Sequence, residues 1–154
     1  EMCIRDRPDA TKEEMEAVLQ KVNLLGFLQT QDGLQTELQE KAGNLSGGQC
    51  QRLVIARALL KDGEVYIFDE ATSNIDIESE ELIMDVIHEI AKTKTVLLIS
   101  HRLANVVDSD QIYFLKGGKI AEEGDHQTLI KLDGAYKHLY KSQMALENYG
   151  KEGM

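Results

Sequence analysis

The chain has 154 residues, 42% of them hydrophobic and 29% charged, and a formal net charge of −10. This balance is typical of one folded globular domain and excludes disordered and fibrous proteins. No apolar run approaches the ~20 residues that a membrane-spanning helix needs, and two cysteines are too few for a disulfide framework.

The whole charge imbalance comes from one segment. Residues 62–91 hold ten acidic residues and neither Lys nor Arg. A chain without a basic patch is not expected to bind nucleic acid, because the phosphate backbone is contacted mainly by Lys and Arg. Most of the acidic segment fits a solvated helix face. The two cysteines, Cys3 and Cys50, indicate a reducing cytoplasmic setting.

The N-terminal part combines an irregular start with a helix. Residues 1–7 show no periodicity, and we interpret them as a non-native or frayed N-terminus. Thr11 and Glu14 have capping-box spacing and precede apolar residues at helical spacing, which predicts a helix over Thr11–Asn23. Glycines then recur up to about residue 44, which predicts an irregular stretch.

The rest of the chain alternates strands and helices. The strand Val65–Phe68 is apolar throughout, which is typical of strands that are buried on both faces of a parallel sheet. A strand–helix–strand order predicts a crossover between parallel neighbours and therefore an α/β fold. The other elements predicted after residue 44 are helices at about Gly47–Leu60 and Ile77–Lys92, a strand at Thr95–Ser100, a hairpin of Gln111–Leu115 and Lys119–Glu122 that turns at Gly117 and Gly118, and a helix at Gln127–Gln143 interrupted near Asp133 and Gly134.

The segment Leu45–Gln49 (LSGGQ) opens the second predicted helix. Ser46 and Gln49 have capping-box spacing, so Ser46 is expected at the N-cap. Gly47 and Gly48 remove side chains where the helix begins. Backbone N–H groups are thereby exposed at the positive end of the helix dipole, which favours a phosphate. The alternative is an ordinary helix start that contains two glycines, although glycine just inside a helix is destabilising.

Several polar side chains follow the two apolar strands. Ligand sites of open α/β sheets lie at the carboxyl ends of strands, where Asp69 and Glu70 are expected. One carboxylate suits Mg²⁺ on a nucleotide, and a second suits the polarisation of an attacking water. The alternative is an acidic pair without a ligand. Asp76 either joins this site or serves only as the N-cap of the third helix. His101 follows the second strand, at the same sheet edge if the strands are parallel neighbours, and contacts a terminal phosphate there unless it is structural.

Together these segments resemble the nucleotide-binding domain of ATP-binding cassette (ABC) transporters. LSGGQ at residues 45–49 resembles the signature motif, and VYIFDE at residues 65–70 resembles the Walker B strand with its catalytic glutamate. SNID at residues 73–76 is similar to the D-loop, and His101 to the switch histidine. DEATS at residues 69–73 and SHRL at residues 100–103 resemble the exporter branch. The resemblance covers about residues 8–144, with Cys50 and Asn74 as small departures from the family pattern.

The resemblance implies a function and a set of site residues. The cofactors are ATP and Mg²⁺, and the domain hydrolyses ATP to drive an exporter. In this family, two such domains enclose two ATP molecules head to tail. The implied roles are a water-mediated Mg²⁺ contact for Asp69, polarisation of the attacking water for Glu70, a γ-phosphate contact for His101, binding of the partner domain's ATP by Ser46, Gly47, Gly48 and Gln49, and D-loop contacts at the nucleotide for Ser73 and Asp76, the latter across the dimer interface.

One departure from the family is large. No segment matches the phosphate-binding pattern G-x-x-x-x-G-K-[ST]. We therefore interpret residues 8–144 as the C-terminal part of one nucleotide-binding domain, with part of the helical subdomain and a mostly parallel sheet core of the P-loop NTPase type. Residues 145–154 are expected to be a flexible tail, and the fragment alone is expected to be inactive.

The implied partners are a second nucleotide-binding domain, identical or different, and a transmembrane permease domain fused upstream. These place the chain at the cytoplasmic face of the cell membrane. Two alternatives stay open: an ABC-type ATPase of DNA repair or chromosome maintenance, and a non-catalytic regulatory cassette. The acidic composition argues against the first, and the presence of Glu70 and His101 argues against the second.

Overall fold

The computed structural model describes residues 7–39, 42–73 and 75–152. The chain divides into two compact units at the boundary between Ile99 and Ser100. The helices are α1 (Lys12–Lys21), α2 (Leu25–Gln29), α3 (Gly47–Leu60), α4 (Ile77–Ala91), α5 (His126–Leu132) and α6 (Ala135–Glu152), and the strands are β1 (Val65–Asp69), β2 (Thr95–Ile99), β3 (Ile112–Lys116) and β4 (Lys119–Gly124). This mixture of helices and strands confirms the predicted α/β class.

Helix α1 begins as its sequence predicts. The Glu14 N–H donates to Thr11 Oγ1 at 3.2 Å, and the Thr11 N–H donates back to Glu14 Oε2 at 2.8 Å, which completes the capping box. Helix α1 packs on α3, with Leu19 and Val22 in the core of the first unit. The short helix α2 was not predicted, because five residues are too few to establish a helical period.

A parallel pair of strands forms the sheet of the first unit. β1 and β2 pair in register from Val65 opposite Thr95 to Asp69 opposite Ile99, and α4 is the crossover between them. Tyr66 and Phe68 point into the core formed with residues of α3 and α4. The predicted parallel neighbours and the connecting helix are therefore confirmed.

The prediction that β1 is buried on both faces is wrong for this chain. Val65 is 59% exposed and Ile67 is 66% exposed, whereas Tyr66 and Phe68 are both 7% exposed. β2 shows the same alternation, with Leu97 and Ile99 about half exposed. Because side chains alternate across a strand, the helices of this unit cover one face of the sheet and leave the other as an apolar surface.

A hairpin and two helices form the second unit. β3 and β4 are antiparallel, and Gly117 and Gly118 both adopt positive φ, at +59° and +74°, as the predicted two-residue turn requires. Asp133 ends α5 in the left-handed conformation, at the predicted interruption before α6. The carboxylate of Glu122 then accepts the Ala135 N–H at 2.5 Å, so a strand residue caps α6.

Boundaries were predicted near both chain ends, after residue 7 and after residue 144. Residues 1–6 lie outside the described residues. Arg7 donates to the Leu60 carbonyl oxygen at 3.0 Å and to Glu14 Oε1 at 2.6 Å. Residues 145–152 continue α6, and the flexibility of residues 145–154 stays a prediction. Among the described helices, none is long and apolar enough to cross a membrane.

Candidate functional site

The N-terminus of α3 carries the LSGGQ segment in the predicted capping box. The Gln49 N–H donates to Ser46 Oγ at 3.2 Å, and the Ser46 N–H donates to Gln49 Oε1 at 2.9 Å. The N–H groups of Gly47 and Gly48 belong to the first turn, where helical geometry provides no intrahelical acceptor. These two N–H groups lie at the positive end of the helix dipole, which is suited to an anion.

The two glycines of this turn have different surroundings. Gly47 is exposed, and a methyl group added there would lie 3.7 Å from Ile75 Cγ2, an ordinary contact. Gly48 is buried, and a Cβ added there would overlap both the Cβ and the Oγ of Ser79. Both glycines were predicted to open a phosphate site, whereas Gly48 also faces α4 directly.

Asp69 and Glu70 lie at the carboxyl end of β1. Both residues are exposed, and Asp69 is paired in register with Ile99 of β2. The Glu70 N–H donates to the Ile99 carbonyl oxygen at 3.0 Å, and the Glu70 carbonyl oxygen accepts the Ser73 N–H at 3.0 Å. Glu70 has a φ of +48°, a left-handed conformation that is uncommon outside glycine. The backbone of Glu70 is therefore held on both sides in an unfavourable conformation.

The segment after Glu70 leads into α4. Asp76 is the N-cap of α4 and accepts the Ser79 N–H at 2.8 Å. The hydrogen bonds from the Ser79 backbone and hydroxyl lower the pKa of Asp76, and the charge of Arg52 lowers it further. Ser73 is half-buried in the preceding turn, and Asn74 lies outside the described residues. The predicted N-cap role of Asp76 is confirmed.

Arg52 is a buried cation that no sequence motif predicted. Its side chain lies on α3 and is only 8% exposed. Its Nε has no hydrogen-bond partner among the described residues. The interaction of its charge with the Asp76 carboxylate connects α3 electrostatically to the N-cap of α4.

His101 lies in the second unit, on the turn that follows β2. Its ring is exposed, and the turn is held by Ser100 Oγ, which accepts the Arg102 N–H at 3.0 Å. Gln143 of α6 makes two further hydrogen bonds to this turn. Its Nε2 donates to the His101 carbonyl oxygen at 2.7 Å, and its Oε1 accepts the Leu103 N–H at 2.8 Å. Sequence reasoning missed Gln143, because no local pattern connects it with a residue 42 positions away.

The donor atoms at the end of β1 fit a magnesium–nucleotide complex. Mg²⁺ prefers hard oxygen ligands and is usually held by one or two carboxylates together with phosphates and waters. Asp69 and Glu70 are exposed carboxylates of this kind. No group of three or more metal-ligating side chains occurs among the residues described.

Known proteins resemble this chain in sequence and in structure. Residues 1–73 match the sequence family described as ABC transporter. An uncharacterized ABC transporter ATP-binding protein of Haemophilus influenzae is 50% identical over 139 residues, which are 90% of this chain and 25% of the relative. An ATP-dependent lipid A-core flippase of Xanthomonas campestris is 44% identical over 131 residues, or 84% of this chain and 22% of the relative.

A solved structure shares the fold over most of the chain. A bacterial Atm1-family ABC exporter with ATP bound superposes with a TM-score of 0.82 at 34% sequence identity, covering 92% of this chain and 25% of the exporter chain. The present chain thus spans about a quarter of the length of the proteins that it matches.

Proposed function

Since this chain belongs to the ABC transporter family and has the fold of an exporter's ATP-binding domain, we propose that it is the catalytic C-terminal part of such a domain in an exporter. The observation that carries the proposal is the position of two exposed carboxylates, Asp69 and Glu70, at the carboxyl end of β1. The backbone hydrogen bond from Glu70 to Ile99 fixes that position.

In this proposal the two carboxylates have separate roles. Asp69 holds Mg²⁺ through water, and Glu70 polarises the water that attacks the γ-phosphate of ATP. The left-handed backbone of Glu70 supports a functional role, because strained backbone conformations concentrate at active sites. His101 contacts the γ-phosphate, and its exposed ring on a turn held by Gln143 suits a residue that meets a ligand.

The N-terminus of α3 binds a second phosphate group in this proposal. Ser46, Gly47, Gly48 and Gln49 contact the ATP molecule that a partner nucleotide-binding domain holds. The exposed Ser46 and Gly47 at the start of α3 and the helix dipole support this role. Ser73 and Asp76 belong to the segment that contacts the nucleotide and the partner domain across the dimer interface.

The proposal also assigns what surrounds this chain. We place the P-loop and the remainder of the nucleotide-binding domain in a part of the protein outside these residues, together with a transmembrane permease domain. The exposed apolar face of Val65, Ile67, Leu97 and Ile99 supports this, because such a face is unfavourable in water and is suited to further elements of the same domain. The domain would then work at the cytoplasmic face of the membrane.

The decisive experiment replaces Glu70 by Gln in the full-length protein. We expect Glu70→Gln to bind ATP but to hydrolyse it ~10²–10⁴-fold more slowly, the usual effect of losing a general base. ATP binding is measured with a fluorescent analogue and hydrolysis by phosphate release in the presence of Mg²⁺. The matched control is Glu81→Gln, an exposed acid of α4 outside the site, which should hydrolyse ATP at the wild-type rate.

Other outcomes separate the alternatives. Wild-type turnover in Glu70→Gln would remove Glu70 from the catalytic role. A full-length protein that binds ATP but does not hydrolyse it would favour the regulatory cassette. Stimulation of hydrolysis by DNA, without a fused permease, would favour the ATPase of DNA repair or chromosome maintenance.

A further inference from the structure

The first turns of α3 and α4 meet closely at Gly48 and Ser79. A Cβ built on Gly48 would lie less than 3.0 Å from both the Oγ and the Cβ of Ser79, and 3.7 Å from its Cα. Real Cβ atoms essentially never approach other atoms below 3.0 Å. Ser79 is only 8% exposed and Gly48 is buried. Neither residue can therefore make room for an added Cβ unless α3 and α4 move apart.

Ser79 is also bonded to the segment before α4. Its N–H donates to Asp76 Oδ1 at 2.8 Å. One residue therefore touches Gly48 of the LSGGQ segment on one side and Asp76 of the SNID segment on the other.

We propose that Ser79 is a positioning residue that fills the space left by Gly48 and holds the LSGGQ turn and Asp76 in a fixed relation to each other. The inference rests on the proposed ATPase function and extends it to a residue outside the nucleotide site. A side chain at position 48 would separate the first turns of α3 and α4. The N–H groups of α3 and the carboxylate of Asp76 would then no longer be presented together.

The geometry explains why glycine is needed at position 48 for a reason independent of phosphate binding. Added bulk at position 48 meets Ser79, which is enclosed, whereas added bulk at position 47 makes only an ordinary 3.7 Å contact with Ile75. Removing the Ser79 side chain should therefore make room for alanine at position 48. It offers no compensation for alanine at position 47.

The test is a double-mutant cycle in the full-length protein. The variants are Gly48→Ala, Ser79→Gly and the combination, with Gly47→Ala and Gly47→Ala/Ser79→Gly as the matched pair. The values of kcat and KM for ATP hydrolysis and the melting temperature are measured for each variant. Gly26→Ala serves as a glycine control, because nothing lies within 4 Å of a Cβ at that position.

We expect Gly48→Ala to lower kcat by ~10²-fold, the effect of a displacement of about an ångström at a catalytic site, and to lower the melting temperature. Ser79→Gly should restore most of both losses in the double variant, and it should not improve Gly47→Ala. A change in kcat at nearly constant KM distinguishes positioning from a loss of ATP binding.

Three results would overturn the inference. If the double variant recovered the melting temperature but not kcat, the contact would serve packing only. Phosphate binding would then remain the reason for glycine at position 48. The contact would have no positioning role if neither the melting temperature nor kcat recovered in the double variant. The same conclusion would follow if Gly48→Ala alone had no effect. A wild-type protein without ATP hydrolysis would instead overturn the proposed function, and the positioning role with it, whatever the melting temperatures show.

Discussion

The backbone of Glu70 is the feature of a single residue that best connects structure with proposed chemistry. Its φ of +48° is unfavourable for a residue with a Cβ, and hydrogen bonds to Ile99 and from Ser73 hold it in place. A glycine at this position would have less backbone strain, since glycine adopts positive φ readily. The catalytic role proposed for the carboxylate would account for a glutamate in this conformation.

This conformation predicts a difference between two variants that both lack the carboxylate. In the full-length protein, Glu70→Gly should be more stable than Glu70→Ala by about 1 kcal/mol, because only glycine relieves the strain. Both should lose ATP hydrolysis to a similar extent. Thermal or denaturant unfolding measures the first comparison, and equal stability of the two variants would contradict a strained backbone at this position.

Asp76 predicts a pH dependence at the residue scale. The hydrogen bonds from Ser79 lower the pKa of Asp76 in the folded state, so the ionised carboxylate stabilises the fold. This stabilisation is fully present above the unfolded pKa of about 4 and is lost as the pH falls through the lower folded pKa.

The measurement is the melting temperature of wild type and Asp76→Asn between pH 7 and pH 3, over a range chosen around the reference Asp value of about 4. Asn also caps helices but does not titrate, so the variant should lose less stability than wild type as the pH falls. Parallel pH profiles would show that Asp76 does not contribute to the acid sensitivity.

At the scale of elements, the ends of helices are stabilised by residues from far along the chain as well as by local caps. Helix α6 begins at Ala135. The carboxylate of Glu122 on β4 accepts the Ala135 N–H and the Tyr136 N–H at 2.5 Å and 3.3 Å. Gly134 leaves the space for this carboxylate, since a Cβ there would lie 2.5 Å from Glu122 Oε1.

We therefore expect Gly134→Ala to destabilise the protein by about 1–3 kcal/mol, through overpacking and the loss of a helix cap. Unfolding by urea provides the measurement. The control is Gly26→Ala in α2, where the new methyl group meets nothing within 4 Å and the better helix propensity should leave stability equal or higher. Equal effects of the two substitutions would contradict the cap.

A second contact between distant elements is the Gln143 clamp, the pair of hydrogen bonds that joins Gln143 to the backbone of His101 and Leu103. Gln143→Ala in the full-length protein should lower ATP hydrolysis by about 10- to 100-fold, because the turn that carries His101 is no longer held in position. Gln143→Glu retains the acceptor for the Leu103 N–H but loses the donor to the His101 carbonyl oxygen, so its rate should lie between wild type and alanine. Ser142→Ala, an exposed neighbour on the same helix, is the control. Full activity of Gln143→Ala would remove the clamp from the mechanism.

At the scale of the whole molecule, one face of the parallel sheet is an exposed apolar surface. Val65 and Ile67 of β1 are more than half exposed, and Leu97 and Ile99 of β2 lie beside them on the same face. The chain also spans only about a quarter of the length of its relatives. Both facts support the proposal that residues outside this chain complete the nucleotide-binding domain.

The purified 154-residue chain is accordingly expected to show no Mg²⁺-dependent ATP hydrolysis above background, because it lacks the phosphate-binding loop pattern. Phosphate release from the chain and from its Glu70→Gln variant, measured side by side, provides the test. Turnover by the wild-type chain that disappears in the variant would show that these residues suffice for catalysis.

The sequence by itself determined the features whose partners lie a few residues apart. The capping boxes of Thr11 and Ser46, the N-cap Asp76 and the glycine hairpin turn all follow from spacings of three residues or fewer, and all are confirmed. The order of the motifs was sufficient to identify the family.

Only the tertiary structure decided the features whose partners are distant in sequence. The contact of Gly48 with Ser79, the cap of α6 by Glu122, the clamp by Gln143 and the exposed face of β1 belong to this group. Each depends on which surfaces are brought together by folding, and a side chain's type does not specify a neighbour 13 to 42 residues away. The apolar strand Val65–Phe68 illustrates the reason. Its composition reports that both faces avoid water, but the elements that are present determine which face is covered.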